Sequence, residues 1–142
     1  MVLSQRLKFK QRCDSFDVYR KLRKINISPY LFYIDYGEFQ VSGSSPETLV
    51  TVKQSMVYTN PIAGPRKRGK DLHEDEIIKN ELLDDKKEIA EHVMLVELGK
   101  NDINKISQFG TVKLESFMDV NYYPHVMHIV SKISGKLKGD LK

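Results

Sequence analysis

The sequence predicts an α+β fold, a mixed and mainly antiparallel sheet packed with helices. Three observations carry this. Aromatic and β-branched runs broken by turn residues fill the chain up to about Thr59, apolar residues recur at helical spacing from His73 to about Ser107, and strand-like alternation returns at Thr111. The order strands, helices, strands, with no internal repeat and no linker, reads as a single unit over residues 1–142.

Residues 2–9 read as a short strand. Asp14 or Ser15 then caps a helix in which Phe16, Tyr19, Leu22 and Ile25 form one apolar stripe. Ile27-Ser28-Pro29 ends it, because the residue before a proline is pushed out of the helical region. The run from Tyr30 to Tyr36, then Gly37-Glu38, then Phe39-Gln40-Val41-Ser42, is a hairpin signal. Gly43-Ser44-Ser45-Pro46-Glu47 reads as a tight turn, with further strands at Thr48 to Lys53 and Ser55 to Thr59. Asn60 to Gly69 holds two prolines and two glycines and reads as a loop without regular structure. Ile77, Ile78, Leu82 and Leu83 mark one helical segment, and Ile89, Val93, Leu95, Val96 and Leu98 mark a second that Gly99 or Asn101-Asp102 should end. Thr111 to Val120 alternates as a strand with Val112, Leu114, Ser116 and Met118 on one face, and His125 to Lys132 follows as its partner.

Composition narrows the class. The 142 residues are 40% hydrophobic and 30% charged, enough to bury one core and too ordered a mixture for a disordered tail. One cysteine, Cys13, cannot close a bridge within the chain and suits a reducing cytosol. No uncharged apolar run approaches the roughly 20 residues a bilayer requires, and the first residues lack the apolar core of a secretory signal. The expectation is a cytoplasmic protein that does not engage a membrane. The net charge of +4 reflects 23 basic against 19 acidic residues, and the basic clusters are not interleaved with aromatics as a single-strand platform requires. Nucleic acid is therefore not an expected partner.

Four segments place polar residues where a core would not want them. They are Gly43-Ser44-Ser45-Pro46-Glu47, the Pro61-Ile62-Ala63-Gly64 loop with its arginines, Glu91-His92 within an apolar helical stretch, and His128 between hydrophobic neighbours on a buried-looking strand. Each has an ordinary explanation. Glu47 suits a solvated turn, Glu91 suits an i, i+4 pair with Lys87, and a histidine in an apolar strand is commonly a hydrogen-bonded core residue. No zinc spacing, P-loop, dinucleotide fingerprint or nucleophile elbow occurs.

Taken together, Ser28-Pro29-Tyr30-Leu31-Phe32-Tyr33, Gly43-Ser44-Ser45-Pro46-Glu47, Pro61-Ile62-Ala63-Gly64, Lys87-Glu88 through Glu91-His92-Val93-Met94-Leu95-Val96, Asn101-Asp102 and Val126-Met127-His128-Ile129-Val130-Ser131 resemble the chorismate-binding enzymes in order and spacing. The likeness runs from Val2 to Leu137 and is strongest to the component I type of anthranilate synthase. The resemblance implies about half of the chorismate-binding enzyme fold. It implies an enzyme that turns chorismate and ammonia into anthranilate and pyruvate, with Mg²⁺ as cofactor and a glutamine amidotransferase subunit as ammonia source. By the same resemblance Glu47 is the general acid at the ring hydroxyl, with a pKa raised by burial or neighbouring carboxylates. Glu91 is a Mg²⁺ ligand, and His128 lies against the ring and serves pyruvate loss. Ser45, Ile62, Ala63 and Gly64 are substrate-binding, the last two by letting the backbone approach closely. Ala63 stands where a subset of aminodeoxychorismate synthases carries an attacking lysine, a route this chain cannot follow.

Some positions depart from the family's pattern. Asn60 and Pro65 replace an arginine and a hydroxyl residue, while Glu97 and Lys100 stand for aspartate and arginine, and lysine cannot reproduce a bidentate arginine contact. The family's catalytic domain continues for about as many residues beyond Lys142, with further substrate and Mg²⁺ ligands. The expectation is a chain truncated at both ends, partner-dependent or prone to aggregate, whose activity needs the C-terminal half of the domain. The alternatives are an inactive remnant or small-molecule binding fragment, or part of an aminodeoxychorismate or isochorismate synthase.

Overall fold

Asp14 opens the first regular element: its side chain accepts the Phe16 N–H, and helix α1 runs Ser15–Ile25. The computed structural model describes residues 5–8, 10, 12–26 and 28–139. The chain divides into two compact units, Met1–Pro46 and Glu47–Lys142. Of the strand expected at residues 2–9, residues 5–8 form no regular structure, and residues 2–4 and 9 lie outside the described residues.

In the first unit α1 packs on a hairpin of β1 (Tyr30–Asp35) and β2 (Gln40–Ser45), registered from Tyr30↔Ser45 to Asp35↔Gln40. The helix stripe supplies Phe16 and Tyr19, whose rings meet Tyr33 at 5.2 and 5.6 Å, and the Ser15 and Tyr33 hydroxyls are 2.9 Å apart. Ile25 stays outside this contact, 75% exposed. Gly43, Ser44 and Ser45, expected in a turn, instead continue β2. Gly43 pairs with Phe32, whose ring lies over the glycine and fills the space a side chain would take.

The second unit is a five-stranded antiparallel sheet with two helices. Its elements are β3 (Thr51–Lys53), β4 (Met56–Thr59), β5 (Ile62–Lys67), α2 (Leu72–Asp84), α3 (Lys86–Ile106), β6 (Lys113–Tyr122) and β7 (Val126–Lys136). The long strand β7 organises it. β4 and β5 follow one another along one side of β7, paired to Ile133–Lys136 and Val126–Val130, and β6 runs along the other side. β3 pairs only with β4.

The helices cover one face of this sheet. Met127, Ile129, Ser131 and Ile133, alternate residues of β7, are fully buried. Leu82 packs with Met127 and Ile129, and Val96 and Ile103 pack with Ile133 and Val57. Each such side chain contributes about 1.5–3 kcal/mol by leaving water. Asp85 separates α2 from α3, ending one and capping the other by accepting the Lys87 and Glu88 N–H groups at 3.0 and 3.2 Å. Two ion pairs brace the junctions. Arg66 reaches Asp85 at 2.8 Å, and Arg68 grips Asp75 through Nε and a terminal nitrogen while donating to Tyr123 O at 2.9 Å.

In this second unit three further expectations are corrected. Asn60 to Gly69 is not an irregular loop, since Ile62–Lys67 forms β5. The strand is an edge, and its register shifts between Ala63 and Arg66, so Gly64 (φ +63°) and Pro65 occupy a bulge where no ladder N–H is required. Gly99 does not end α3, which continues to Ile106. A side chain at Gly99 would stand 3.0 Å from Ile133 Cδ1 and 3.2 Å from Thr59 Cγ2, so this glycine lets the helix lie close on the sheet. In β6 the inward residues are Ser116, Met118 and Val120 while Leu114 is 41% exposed, because the register shifts twice between Leu114 and Asp119.

Candidate active site

The sheet alternation explains how Glu47 meets the Pro61-Ile62-Ala63-Gly64 segment. Ser131 N–H donates to Pro61 O at 3.1 Å beside the Ile62↔Val130 pairing. The Ile62 N–H therefore points away from β7 to the outer edge of β5. There the Glu47 carboxylate accepts it. The two segments singled out from the sequence are joined by a hydrogen bond that neither announces alone.

Glu47 also lines a cavity of about 360 Å³ with Leu49, Val50, Thr59, Pro61 and one face of α3, namely Leu95, Leu98, Gly99, Asp102, Ile103 and Ile106. Its walls are mostly apolar. Burial pushes the Glu47 carboxyl pKa above its ordinary value and outweighs the opposing effect of the Ile62 N–H. That is the direction of shift a carboxyl needs to act as a general acid.

Glu91 lies on the same stripe of α3 as Leu95, Leu98 and Asp102, one turn closer to the helix start. It is half-buried, and among the described residues it forms no hydrogen bond or ion pair. The i, i+4 pair with Lys87 does not form; Lys87 lies 3.8 Å from Glu88 instead. Among the described residues no three acidic, histidine or cysteine side chains gather as a metal cluster. Mg²⁺ is commonly held by one or two carboxylates with waters and substrate oxygens, and Glu91 offers a single carboxylate of that kind, unpaired among the described residues.

His128 is on β7 between Met127 and Ile129, so it faces the side of the sheet opposite the helices, with Val130 and Ile62 on that side. Tyr123 meets it edge-on at 5.6 Å. Its Nδ1 is buried without a hydrogen-bond partner among the described residues, and burial pushes the imidazole pKa down. A neutral imidazole can accept a proton. The structure therefore sets Glu47 on the β5 edge, Glu91 toward the helix side and His128 on the open face.

The remaining predicted positions divide. Ala63 is buried and pairs with Ile129. A side chain at Gly64 would stand 2.8 Å from Leu82 Cδ1 and 3.3 Å from Ile129 Cδ1, so the clearance there is taken by the core. Pro65 is exposed on the bulge, and Asn60 Oδ1 is buried with no partner among the described residues. Ser45 ends β2 in the first unit, where its carbonyl accepts the Ser28 hydroxyl. Sequence reasoning gave no task to His92, which is fully buried with Nε2 2.7 Å from Ser131 Oγ. Its signal was its place on the inner seam of α3, four residues before Val96.

The profile of the family described as chorismate binding enzyme matches residues 1–142, and the chain belongs to that family. The chain is 51% identical to anthranilate synthase component 1 of Acetivibrio thermocellus over 140 residues, 99% of this chain and 28% of that protein. It is 46% identical to the Aquifex aeolicus protein of that name over 97% of this chain and 28% of the relative. Among solved structures, anthranilate synthase component I of Streptococcus pneumoniae superposes with TM-score 0.81 at 43% identity, covering 93% of this chain and 28% of that one. A 2,3-dihydroxybenzoate-specific isochorismate synthase of Bacillus anthracis follows at TM-score 0.75 and 27% identity, covering 92% and 35%. The chain thus spans under a third of the length of the curated relatives just named.

Proposed function

We propose that this chain supplies one part of the chorismate site of an anthranilate synthase component I, acting with the rest of that domain. In this reading chorismate and ammonia become anthranilate and pyruvate, the ammonia coming from a glutamine amidotransferase partner in a cytoplasmic biosynthetic setting. Identity near one half to anthranilate synthases, against 27% to an isochorismate synthase, favours this member of the family.

The observation that carries the mechanism is Glu47, a carboxyl held by the Ile62 N–H at the rim of an apolar cavity, with its pKa raised by burial. Chorismate must lose a ring hydroxyl, and hydroxide is a poor leaving group unless protonated. In this reading Glu47 gives that proton, a contribution of about 10²–10⁴-fold to rate. Glu91 would hold Mg²⁺, which when bound offsets negative charge on a substrate carboxylate. His128, kept neutral, takes up a proton as pyruvate departs. Ile62, on the same face as His128, would form the wall against which the ring rests, while Ala63 faces the core.

The test is co-expression of the chain with the complementary remainder of a relative, followed by anthranilate fluorescence from chorismate and ammonia. Mg²⁺-dependent product supports the reading. A folded complex that yields none, beside a working intact relative, refutes it and favours a binding fragment without turnover.

A further inference from the structure

From His92 to Ile103, the residues of α3 that face β7 are apolar except at one place. His92, Val96, Gly99 and Ile103 succeed one another along the inner face of α3 at three- and four-residue intervals. Val96 and Ile103 meet Ile133 and Val57, and Gly99 leaves room for Ile133. His92 instead meets Ser131, Nε2 to Oγ at 2.7 Å, with both side chains fully buried. Ser131 Oγ also accepts the Met118 N–H at 3.0 Å. That amide lies where the β6 register shifts between Ser116 and Asp119, and Met118 has φ +58°. One hydroxyl therefore ties three elements together.

Apolar contacts alone leave a helix some freedom to roll or slide on a sheet, since many arrangements bury similar area. A buried polar pair has one good geometry and loses its hydrogen bond in the others. His92 Nδ1 finds no partner among the described residues, so the pair is retained at some cost in stability. What it fixes follows from helix geometry. Glu91 precedes His92 and is turned about 100° from it around the axis. The stripe of Glu91 continues through Leu95, Leu98 and Asp102, which line the same cavity as Glu47 and Pro61. At the other end of the bond, Ser131 lies three residues along β7 from His128.

We infer that His92 and Ser131 are positioning residues whose hydrogen bond sets the rotation of α3 and so aims Glu91 at the Glu47 edge of the sheet. The inference rests on reading Glu91 as the cation ligand. His92 itself touches neither substrate nor metal; its task is to hold the helix that carries Glu91.

The test uses the reconstituted enzyme, with Mn²⁺ as the probe and its binding followed by electron paramagnetic resonance without substrate, alongside the Mg²⁺ midpoint of activity. His92→Leu fills the seam without the bond, and His92→Gln keeps a polar atom at the ε position. Ser131→Ala removes one oxygen and carries the test should His92→Leu fail to fold. The expected result is a weakening of Mn²⁺ binding by about tenfold or more in His92→Leu and Ser131→Ala, the scale of losing an outer support of a metal ligand. His92→Gln should recover most of it, and His92→Leu combined with Ser131→Ala should be no worse than either alone. A merely structural role would lower the melting temperature without moving the Mn²⁺ midpoint. Folded variants within twofold of the parent, while Glu91→Gln weakens binding, would overturn the positioning role alone. Glu91→Gln without effect would overturn it together with the reading of Glu91.

Discussion

Replacing Gly64 by alanine isolates the geometry that lets a proline- and glycine-rich segment form a strand. The backbone there has φ +63°, and the added Cβ would stand 2.8 Å from Leu82 Cδ1 and 3.3 Å from Ile129 Cδ1. Two costs follow. Holding an L-residue in the left-handed region costs about 1–2 kcal/mol, and forcing a methyl group into a filled core costs about 1–3 kcal/mol more. Gly110 provides the internal control in the same unit, with φ +73° and nothing within 4 Å of an added Cβ. Gly110→Ala should therefore lose only the first of the two, about 1–2 kcal/mol. Urea unfolding of both variants at pH 7, followed by circular dichroism, gives the comparison directly. Gly64→Ala should be the less stable by roughly 1–3 kcal/mol. Equal losses would mean that the Gly64 clearance is not filled by Leu82, and the account of the β5 bulge would be wrong.

Three other outcomes follow from the same geometry. Burial holds the His92 and His128 imidazoles below their ordinary value near 6.5, so the stability tied to their neutral forms is present above that value and is lost as pH falls through the lowered folded values. Melting temperatures should drop between pH 7.5 and 5, and His128→Gln should reduce the drop; an unchanged slope would refute the assignment. The Glu47 carboxyl is shifted the other way, so its contribution to stability is present at low pH and lost as pH rises through its raised folded value. Glu47→Gln should accordingly melt higher than the parent at pH 7 and not at pH 4. Arg68 uses its fork on Asp75 and a further nitrogen on Tyr123 O, so Arg68→Lys should lower the melting temperature despite keeping the charge, whereas Lys70→Arg at an exposed position should not.

Much of the fold is legible because local chemistry decides it. Asp14 caps α1, Asp35 accepts the Gly37 N–H at the hairpin tip, and the β1–β2 pairing follows the alternation of its aromatic residues. What the sequence hides depends on neighbours distant along the chain. Pro65 and Gly64 read as strand breakers until β7 offers a partner whose register can shift around them. Gly99 reads as a helix end until Ile133 and Thr59 show that the missing side chain makes room for the sheet. The turn expected at Gly43 fails for a similar reason, since Phe32 opposite it rewards an extended backbone. At the candidate site, the residue types were visible in short motifs, but the bond from Ile62 to Glu47 was not. It follows from which N–H groups β7 leaves unused.

The family assignment rests on similarity, but the claim that Glu47 is the proton donor rests on one carboxyl and its surroundings. Chorismate consumption by the reconstituted enzyme at neutral pH, measured for Glu47→Gln against the parent, tests it most directly. An amide keeps the shape and cannot give the proton, so the account predicts a loss of about 10²–10⁴-fold in kcat with substrate binding largely kept. A Glu47→Gln enzyme that retains chorismate turnover within a fewfold of the parent would contradict it.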